Sequence, residues 1–572
     1  MSCDEQKQTV VESEIQSEKS AYSGHTEVKY DQAEKIANVE RFEGIDFDAE
    51  FEKLEALQVA AVNAPRTWWD HLVFGTNKEI IFKNRRHMTW MLGFFASMGG
   101  MLSGVDQSLI SGANVSLVPD LSLTDHEQSL VSSLVPVGAI LGSLIVSPLN
   151  QKIGRRICIM VACIMYTIGG LLCAFTPNVH GLYAGRIFIG VGIGLESVIP
   201  AYVGECAPAD IRGNLVSLYQ FNIALGEVFG YAIAAIFYEV HDAWRFILGS
   251  SLVFSTLLFI GMIFLPESPR YLVVTREKVG HGWRIWKILR DVDDIHNKME
   301  FLDMLQSAEQ AKLDDGTKKR FEVLDFIKNA RARRSIIYAN IIIFLGQFTG
   351  INGLLYYLST VMHAIGFDTK NSVFMSLVGG GSLLIGTIPA ILWMDKCGRR
   401  FWANFCLPWF FIGLVLVGIG YLLPTTTAAS KGLYLTGVIL YMIFFGSYST
   451  LTWVTPAEVF PTYLRSYGTT ITSTMLYLWS FIITYNFSSM FDKMTKTGLT
   501  LGFYGGIAVL GFIYQIMFVV ETKGKSLEEV DDVFSKPTSF IIKQNLRSTR
   551  EDVRDILSGN FKNVMYGKNV HY

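Results

Sequence analysis

Charge is scarce in this 572-residue chain: Asp, Glu, Lys and Arg make up 17 % of it and nearly cancel, leaving a formal net charge of −2. A chain without a clustered basic surface is unsuited to nucleic acid. Cysteine is sparse as well. The seven present (Cys3, Cys158, Cys163, Cys173, Cys206, Cys397 and Cys406) have neither paired nor metal-site spacing. Most lie in apolar runs, where Cys acts as a small hydrophobe, so no metal and no cofactor is expected. There is no nucleophile, metal or nucleotide constellation; Gly190, Gly192 and Gly194 follow helix-packing spacing rather than the setting of a phosphate loop. The chain does not read as an enzyme. Asp4, Glu5, Glu12 and Glu14, with no apolar core around them, exclude a secretory signal at the start.

What the chain has is apolar length. Hydrophobic residues make up 50 % of it, the composition of an integral membrane protein. Charge-poor runs fall at roughly 88–115, 129–149, 157–176, 181–203, 214–238, 246–265, 335–362, 372–394, 402–423, 432–457, 467–491 and 499–520. At about 20 apolar residues per crossing, these are twelve spans of an all-α membrane protein. Lys83, Arg85 and Arg86 precede span 1; Lys152, Arg155 and Arg156 separate spans 2 and 3; Lys396, Arg399 and Arg400 separate spans 8 and 9. The stretches 113–128 and 176–181 contain no Lys or Arg, so the positive-inside rule puts both termini in the cytoplasm. Asn114-Val115-Ser116, a glycosylation sequon, then lies on the outer side close to the bilayer.

The two halves repeat. Gly154-Arg155-Arg156 after span 2 recurs as Gly398-Arg399-Arg400 after span 8, and Glu205, Pro208 and Arg212 recur at the same spacing as Glu458, Pro461 and Arg465. Two six-helix pseudo-repeats around a central cavity follow, with a binding site near the midplane. The expected organisation is a mostly disordered cytoplasmic tail over 1–86, with a short amphipathic helix around Phe47 to Val62. Then come a helical bundle over 87–268, a cytoplasmic helical linker over 269–334, a second bundle over 335–520 and a cytoplasmic tail over 521–572.

Only four charges lie inside the apolar runs: Asp106, Arg186, Glu196 and Glu227, all in the first half. One base can neutralise one acid, and each unpaired charge costs several kcal/mol in a low-dielectric bundle, so at least one acid should hold a proton. Gln220 and Glu227, seven residues apart, share a helix face.

The chain resembles the sugar porter family of the major facilitator superfamily over about 85–530. The matching stretches are Gly185-Arg186, Pro200-Ala201-Tyr202-Val203-Gly204-Glu205, Pro266-Glu267-Ser268-Pro269-Arg270, Gln347-Phe348-Thr349-Gly350-Ile351-Asn352 with Tyr356-Tyr357, Asp395-Lys396-Cys397-Gly398-Arg399-Arg400 and Glu521-Thr522-Lys523-Gly524-Lys525-Ser526. The long N-terminal tail is similar to that of fungal members, and Asp106 to the acid of proton-coupled ones. The resemblance implies that Asp106 and Arg186 form a switchable proton-coupling pair, that Gln220, Gln347 and Asn352 bind sugar, that Tyr356 gates the pocket and that Trp453 stacks on the ring. The family's span-6 acid matches about Ser251, leaving Glu227 or Glu196 to take its part. Gly346, Leu383, Leu476-Tyr477, Thr450 and Thr452 depart from the family pattern, leaving the second half of the pocket poorer in amides than that of glucose carriers.

The cytoplasmic motifs read as gates. Arg155, Arg156, Arg399 and Arg400 can pair with Glu205, Glu267, Glu458 and Glu521 and latch the halves, with Arg212, Arg270, Asp395 and Arg465 in the same motifs; Gln151 stands where the family has an acid. The expected activity is proton-coupled import of a small neutral monosaccharide, a hexose such as fructose, by a monomer in a fungal plasma membrane. The alternatives are a facilitative sugar or polyol uniporter and a transporter-like nutrient sensor.

Overall fold

The structure, a computed structural model, describes residues 47–63, 85–208, 212–292, 295–315, 322–424, 427–461, 464–523 and 527–565. No strand occurs among them. The twelve spans are helices: Arg85–Asp120, Asp125–Ile153, Arg155–Phe175, Val179–Leu195 continued by Ile199–Cys206, Arg212–Phe237, Ala243–Gly249 continued by Ser251–Phe264, Ala330–Phe348 continued by two short helices, Thr369–Cys397, Arg399–Leu422, Ala428–Val459, Arg465–Lys493, and Gly498–Gly505 continued by Gly506–Phe518. Eleven are long and apolar enough to cross a membrane by composition alone. The twelfth, span 11 (Arg465–Lys493), is dense in Ser and Thr. Its Thr472, Ser480 and Thr484 are buried, so neighbouring helices rather than lipid cover its polar side.

Two spans that read as single runs in the sequence are interrupted. Span 4 tightens into a 3₁₀ turn at Glu196–Val198 just before Pro200, whose ring removes a backbone donor. Span 7 stops at Phe348, passes Gly350 at φ 94° and resumes as Ile351–Tyr356 and Leu358–Ala364. A β-carbon at Gly350 would be strained there and would press on the Tyr504 ring. Irregular backbone at membrane depth is tolerated where it lines a cavity, so the break marks residues 347–356 as cavity wall.

Spans 1 and 5 cross with their backbones in contact. A β-carbon on Gly104 would overlap the carbonyl of Ile223 and sit 3.0 Å from the amide nitrogen of Glu227, and one on Gly226 would overlap the carbonyl of Met101. This close crossing sets the turn carrying Asp106 beside the turn carrying Glu227. Gly104→Ala forces the helices apart at a cost of about 1–3 kcal/mol. Its expected outcome is a severalfold lower yield of monodisperse protein on size-exclusion chromatography.

The halves meet through spans 2 and 11, where Ser143 and Thr474 are 2.9 Å apart, and through spans 1 and 5 against spans 7 and 8. There, Ser111 donates to Ser359 at 3.4 Å and Tyr231 to the carbonyl of Leu355 at 2.8 Å. Below the bundle, the linker helices Val279–Leu289 and Ile295–Asp315 share a core with the helix Phe47–Asn63, built on Leu54, Trp283, Trp286 and Phe301. Glu55 accepts from Lys287 at 2.6 Å and from the Trp283 indole at 3.1 Å, and the Lys287 bond holds its carboxyl below the usual range. The rest of the expected tail before residue 47 lies outside the described residues, as does Phe321 of the linker. In the C-terminal tail, Leu527–Ser535 and Thr538–Leu557 are helices.

Candidate functional site

A cleft lined by residues of both halves lies between them, the place where small-molecule sites of such folds are found. Gln220, Gln347, Asn352, Tyr356 and Trp453, the five expected substrate residues, all line it, and so does Glu227. They come from spans 5, 7 and 10, and the span-7 members sit on either side of its break. Trp453 donates its indole N–H to the Gln220 carbonyl oxygen at 3.0 Å and meets Tyr219 edge to face at 4.9 Å, so one wall is assembled across both halves. Asn352 donates to the Gln347 side chain. Amides that supply donor and acceptor, beside aromatic faces, suit a ring bearing hydroxyls and C–H groups.

Other wall residues escaped the sequence reading: Gln107, Ser103, Tyr219, Ser449 and Ser480. Gln107 follows Asp106 directly, so an amide next to the intramembrane acid was the available signal. Thr452, Leu383, Leu476 and Tyr477, which depart from the family pattern, also line the cleft, and Leu383 and Leu476 give its second half an apolar surface.

The intramembrane charges separate into a pair and two single acids. Arg186 donates to Asp106, and its Nε donates to the Val131 carbonyl at 3.0 Å, with both side chains out of solvent contact. Asp106 is one residue behind the cleft wall rather than in it. Glu196 sits on the 3₁₀ turn of span 4, fully buried, with neither carboxyl oxygen bonded among the described residues. It does not line the cleft. Glu227 does, and its Oε2 has no hydrogen-bond partner among the described residues.

The expected ion pairs of the loop motifs form two matching networks, each joining residues of one half rather than spanning the two. Arg155 holds Glu205 through two bonds of 2.9 and 3.0 Å, and Arg399 holds Glu458 through bonds of 2.6 and 3.2 Å. Ser268 and Thr522 add matching hydroxyl bonds to these two acids. Glu267 and Glu521 cap helix starts. Glu267 accepts the backbone N–H groups of Arg155, Arg156 and Ser268, and Glu521 those of Arg399, Arg400 and Lys523. Each carboxylate thus satisfies orphan donors at the N-terminus of spans 3 and 9. Gly154 and Gly398, at φ 96° and 94°, leave room for these carboxylates. The Arg156 side chain instead reaches the carbonyls of Met262 and Ile263, both at 2.8 Å. Arg400 reaches Asn545 in the C-terminal helix. Arg270 is exposed and Arg465 opens span 11, while the side chains of Arg212 and Asp395 lie outside the described ones.

Burial pushes Glu267 up from 4.5 to about 7, with the N–H groups of Ser268 and Arg156 and the charges of Arg155 and Arg156 pulling the other way. A folded-state value above the unfolded one means the native state holds the proton more tightly. The stability this group contributes is then present below pH 4.5 and lost as pH rises to about 7. We expect the thermal midpoint to fall over that window, by up to about 3 kcal/mol in stability, and Glu267→Gln to flatten the slope; a slope that the variant keeps would contradict the assignment.

Twelve helical spans in two matching halves, with a polar cleft between them and a broken helix in its wall, define a membrane transporter rather than an enzyme. The sequence comparisons narrow the class. The model of the sugar (and other) transporter family matches residues 90–534, and the chain belongs to that family. It is 53 % identical over 499 residues to the myo-inositol transporter FST1 of Gibberella moniliformis, covering 86 % of this chain and 87 % of that one. It is 31 % identical to myo-inositol transporter 1 of Cryptococcus neoformans, covering 81 % and 84 %. Among solved structures, the proton:xylose symporter XylE bound to 6-bromo-6-deoxy-D-glucose matches with TM-score 0.69 and 24 % identity, over 79 % of this chain and all of that one. A partially occluded inward-open form of the xylose transporter XylE from E. coli matches with TM-score 0.63 and 25 % identity, over 77 % and 99 %.

Proposed function

We propose that this protein carries a small neutral polyol ring, with myo-inositol the leading candidate, into the cell together with a proton, across the plasma membrane and with both termini in the cytoplasm. The hexose expected from motifs alone gives way to a cyclic polyol on two grounds. Two fungal relatives, one of them 53 % identical, are named as myo-inositol transporters. The second half of the cleft also has Leu383 and Leu476 where the family pattern has amides, unlike the amide-rich pocket expected for glucose.

The observation that carries coupling is the imbalance of buried charge: Asp106, Glu196 and Glu227 against Arg186. Asp106 takes the one guanidinium. An unpaired carboxylate at these positions costs several kcal/mol, so charge balance calls for protons on the remaining acids and on Asp106 whenever Arg186 turns away. Asp106 serves as the coupling acid, Arg186 as its partner, and Glu227 as the acid in contact with the substrate chamber. Uptake of labelled myo-inositol, glucose, fructose, xylose and sorbitol in carrier-deficient yeast, with external pH recorded, tests the reading. Saturable myo-inositol uptake with alkalinisation of the medium is expected. Uptake of glucose or fructose alone would overturn the substrate, and uptake without alkalinisation the coupling.

A further inference from the structure

We propose that the C-terminal helix Thr538–Leu557 is an interfacial anchor that binds the anionic phospholipid headgroups of the leaflet at which spans 9 and 12 emerge next to it. Its depth is fixed by hydrogen bonds. Asn545, fully buried, donates to the carbonyls of Met517 at 2.9 Å and Val519 at 3.1 Å, the groups that the end of span 12 leaves without helical partners. Arg400, in the first turn of span 9, donates to the Asn545 carbonyl at 2.8 Å and to the Thr549 hydroxyl at 2.9 Å, and also bonds the Asn545 side chain. The helix is thereby held where the chain leaves the hydrocarbon. In the first half the equivalent arginine, Arg156, spends its guanidinium on the end of span 6, so this docking has no counterpart there.

Ile541, Asn545 and Ser548 form the docked face. The rest of the helix carries two neighbouring stripes. Lys543, Arg547, Arg550 and Arg554 recur at i, i+4, i+7 and i+11, and Leu546, Val553 and Leu557 at i, i+7 and i+11. All seven are exposed, Leu557 by 84 %. The acids Glu551, Asp552 and Asp555 fall outside both stripes; Glu551 pairs with Arg547 at 3.2 Å. An exposed apolar stripe beside a basic one, pinned at the end of a transmembrane span, presents alkyl side chains to the acyl boundary and cations to phosphate. Charge complementarity therefore selects an anionic lipid surface over a neutral one.

The test uses the full chain with Cys3→Ser and Val553→Cys, labelled with bimane, since the six other cysteines are buried. It is reconstituted in phosphatidylcholine vesicles bearing a headgroup nitroxide lipid, with or without about one-third phosphatidylserine. Each basic side chain near an anionic surface strengthens association about fivefold. Quenching is expected to rise at least threefold with phosphatidylserine, and to return to the neutral-lipid level when Lys543, Arg547, Arg550 and Arg554 are all changed to Gln. Quenching that ignores lipid charge, or that survives the four substitutions, would overturn the proposal. Absence of quenching in either lipid, as when the helix faces water or a protein partner, would overturn it too. If the fourfold variant fails to fold, the comparison of the two lipids in the unsubstituted helix decides alone.

Discussion

Asp106→Asn is expected to abolish uphill accumulation of substrate while preserving exchange of labelled for unlabelled substrate. Each proton entering across 100 mV contributes about 2.3 kcal/mol, enough for nearly fifty-fold accumulation of a neutral solute. In the variant the ratio should fall to about one. The amide nearly matches the carboxyl in shape and can still accept from Arg186, so the bundle remains packed and the cleft, which Asp106 does not line, is intact. What disappears is the ability to be neutral in one state and charged in another. Counterflow in vesicles reports the cleft, and the steady-state ratio in energised cells reports coupling. Loss of both would mean instead that the Asp106–Arg186 pair is structural.

The second large effect is expected at the wall that spans both halves. Trp453→Ala removes an aromatic face from the cleft and strands the Gln220 carbonyl oxygen it bonds at 3.0 Å. Loss of an aromatic contact and a buried bond is worth about 1.5–3 kcal/mol, a rise of roughly ten- to a hundredfold in KM for the substrate. Gln220→Ala should cost a similar amount, and the double variant less than the sum, because the two side chains act as a unit. Kinetics of initial uptake for the four chains checks this. Additive losses would mean that each residue meets the substrate independently.

Much of this architecture was legible because a bilayer restricts what a chain can do. Twelve charge-poor runs and two sets of repeated loop motifs are enough to give twelve helices in two halves, even for span 11, which is rich in hydroxyls. The Asp106–Arg186 pair and the five cleft residues came from motif resemblance, and the structure brings them together. Helix rotation was not legible. Spans that are apolar all round give no signal for which face meets a cavity, so Gln107, Ser449 and Ser480 went unnoticed while Glu196, an equally prominent charge, does not line the cleft. The loop arginines were legible in part: Arg155 and Arg399 pair with Glu205 and Glu458. Sequence shows charges that can pair, but Glu267 and Glu521 are drawn to backbone N–H groups at helix starts, and Arg156 and Arg400 to backbone carbonyls. Asn545 lies in a polar tail, and only its contact with the end of span 12 reveals its part.

The most direct test of the account is proton flux driven by substrate alone. Purified protein in liposomes loaded with a pH-sensitive dye, given an inward gradient of myo-inositol and no imposed voltage or pH gradient, should acidify the lumen at once. The Asp106→Asn chain, at equal density and with intact counterflow, should leave the dye unchanged. Equal acidification by both chains would contradict the assignment of the coupled proton to Asp106.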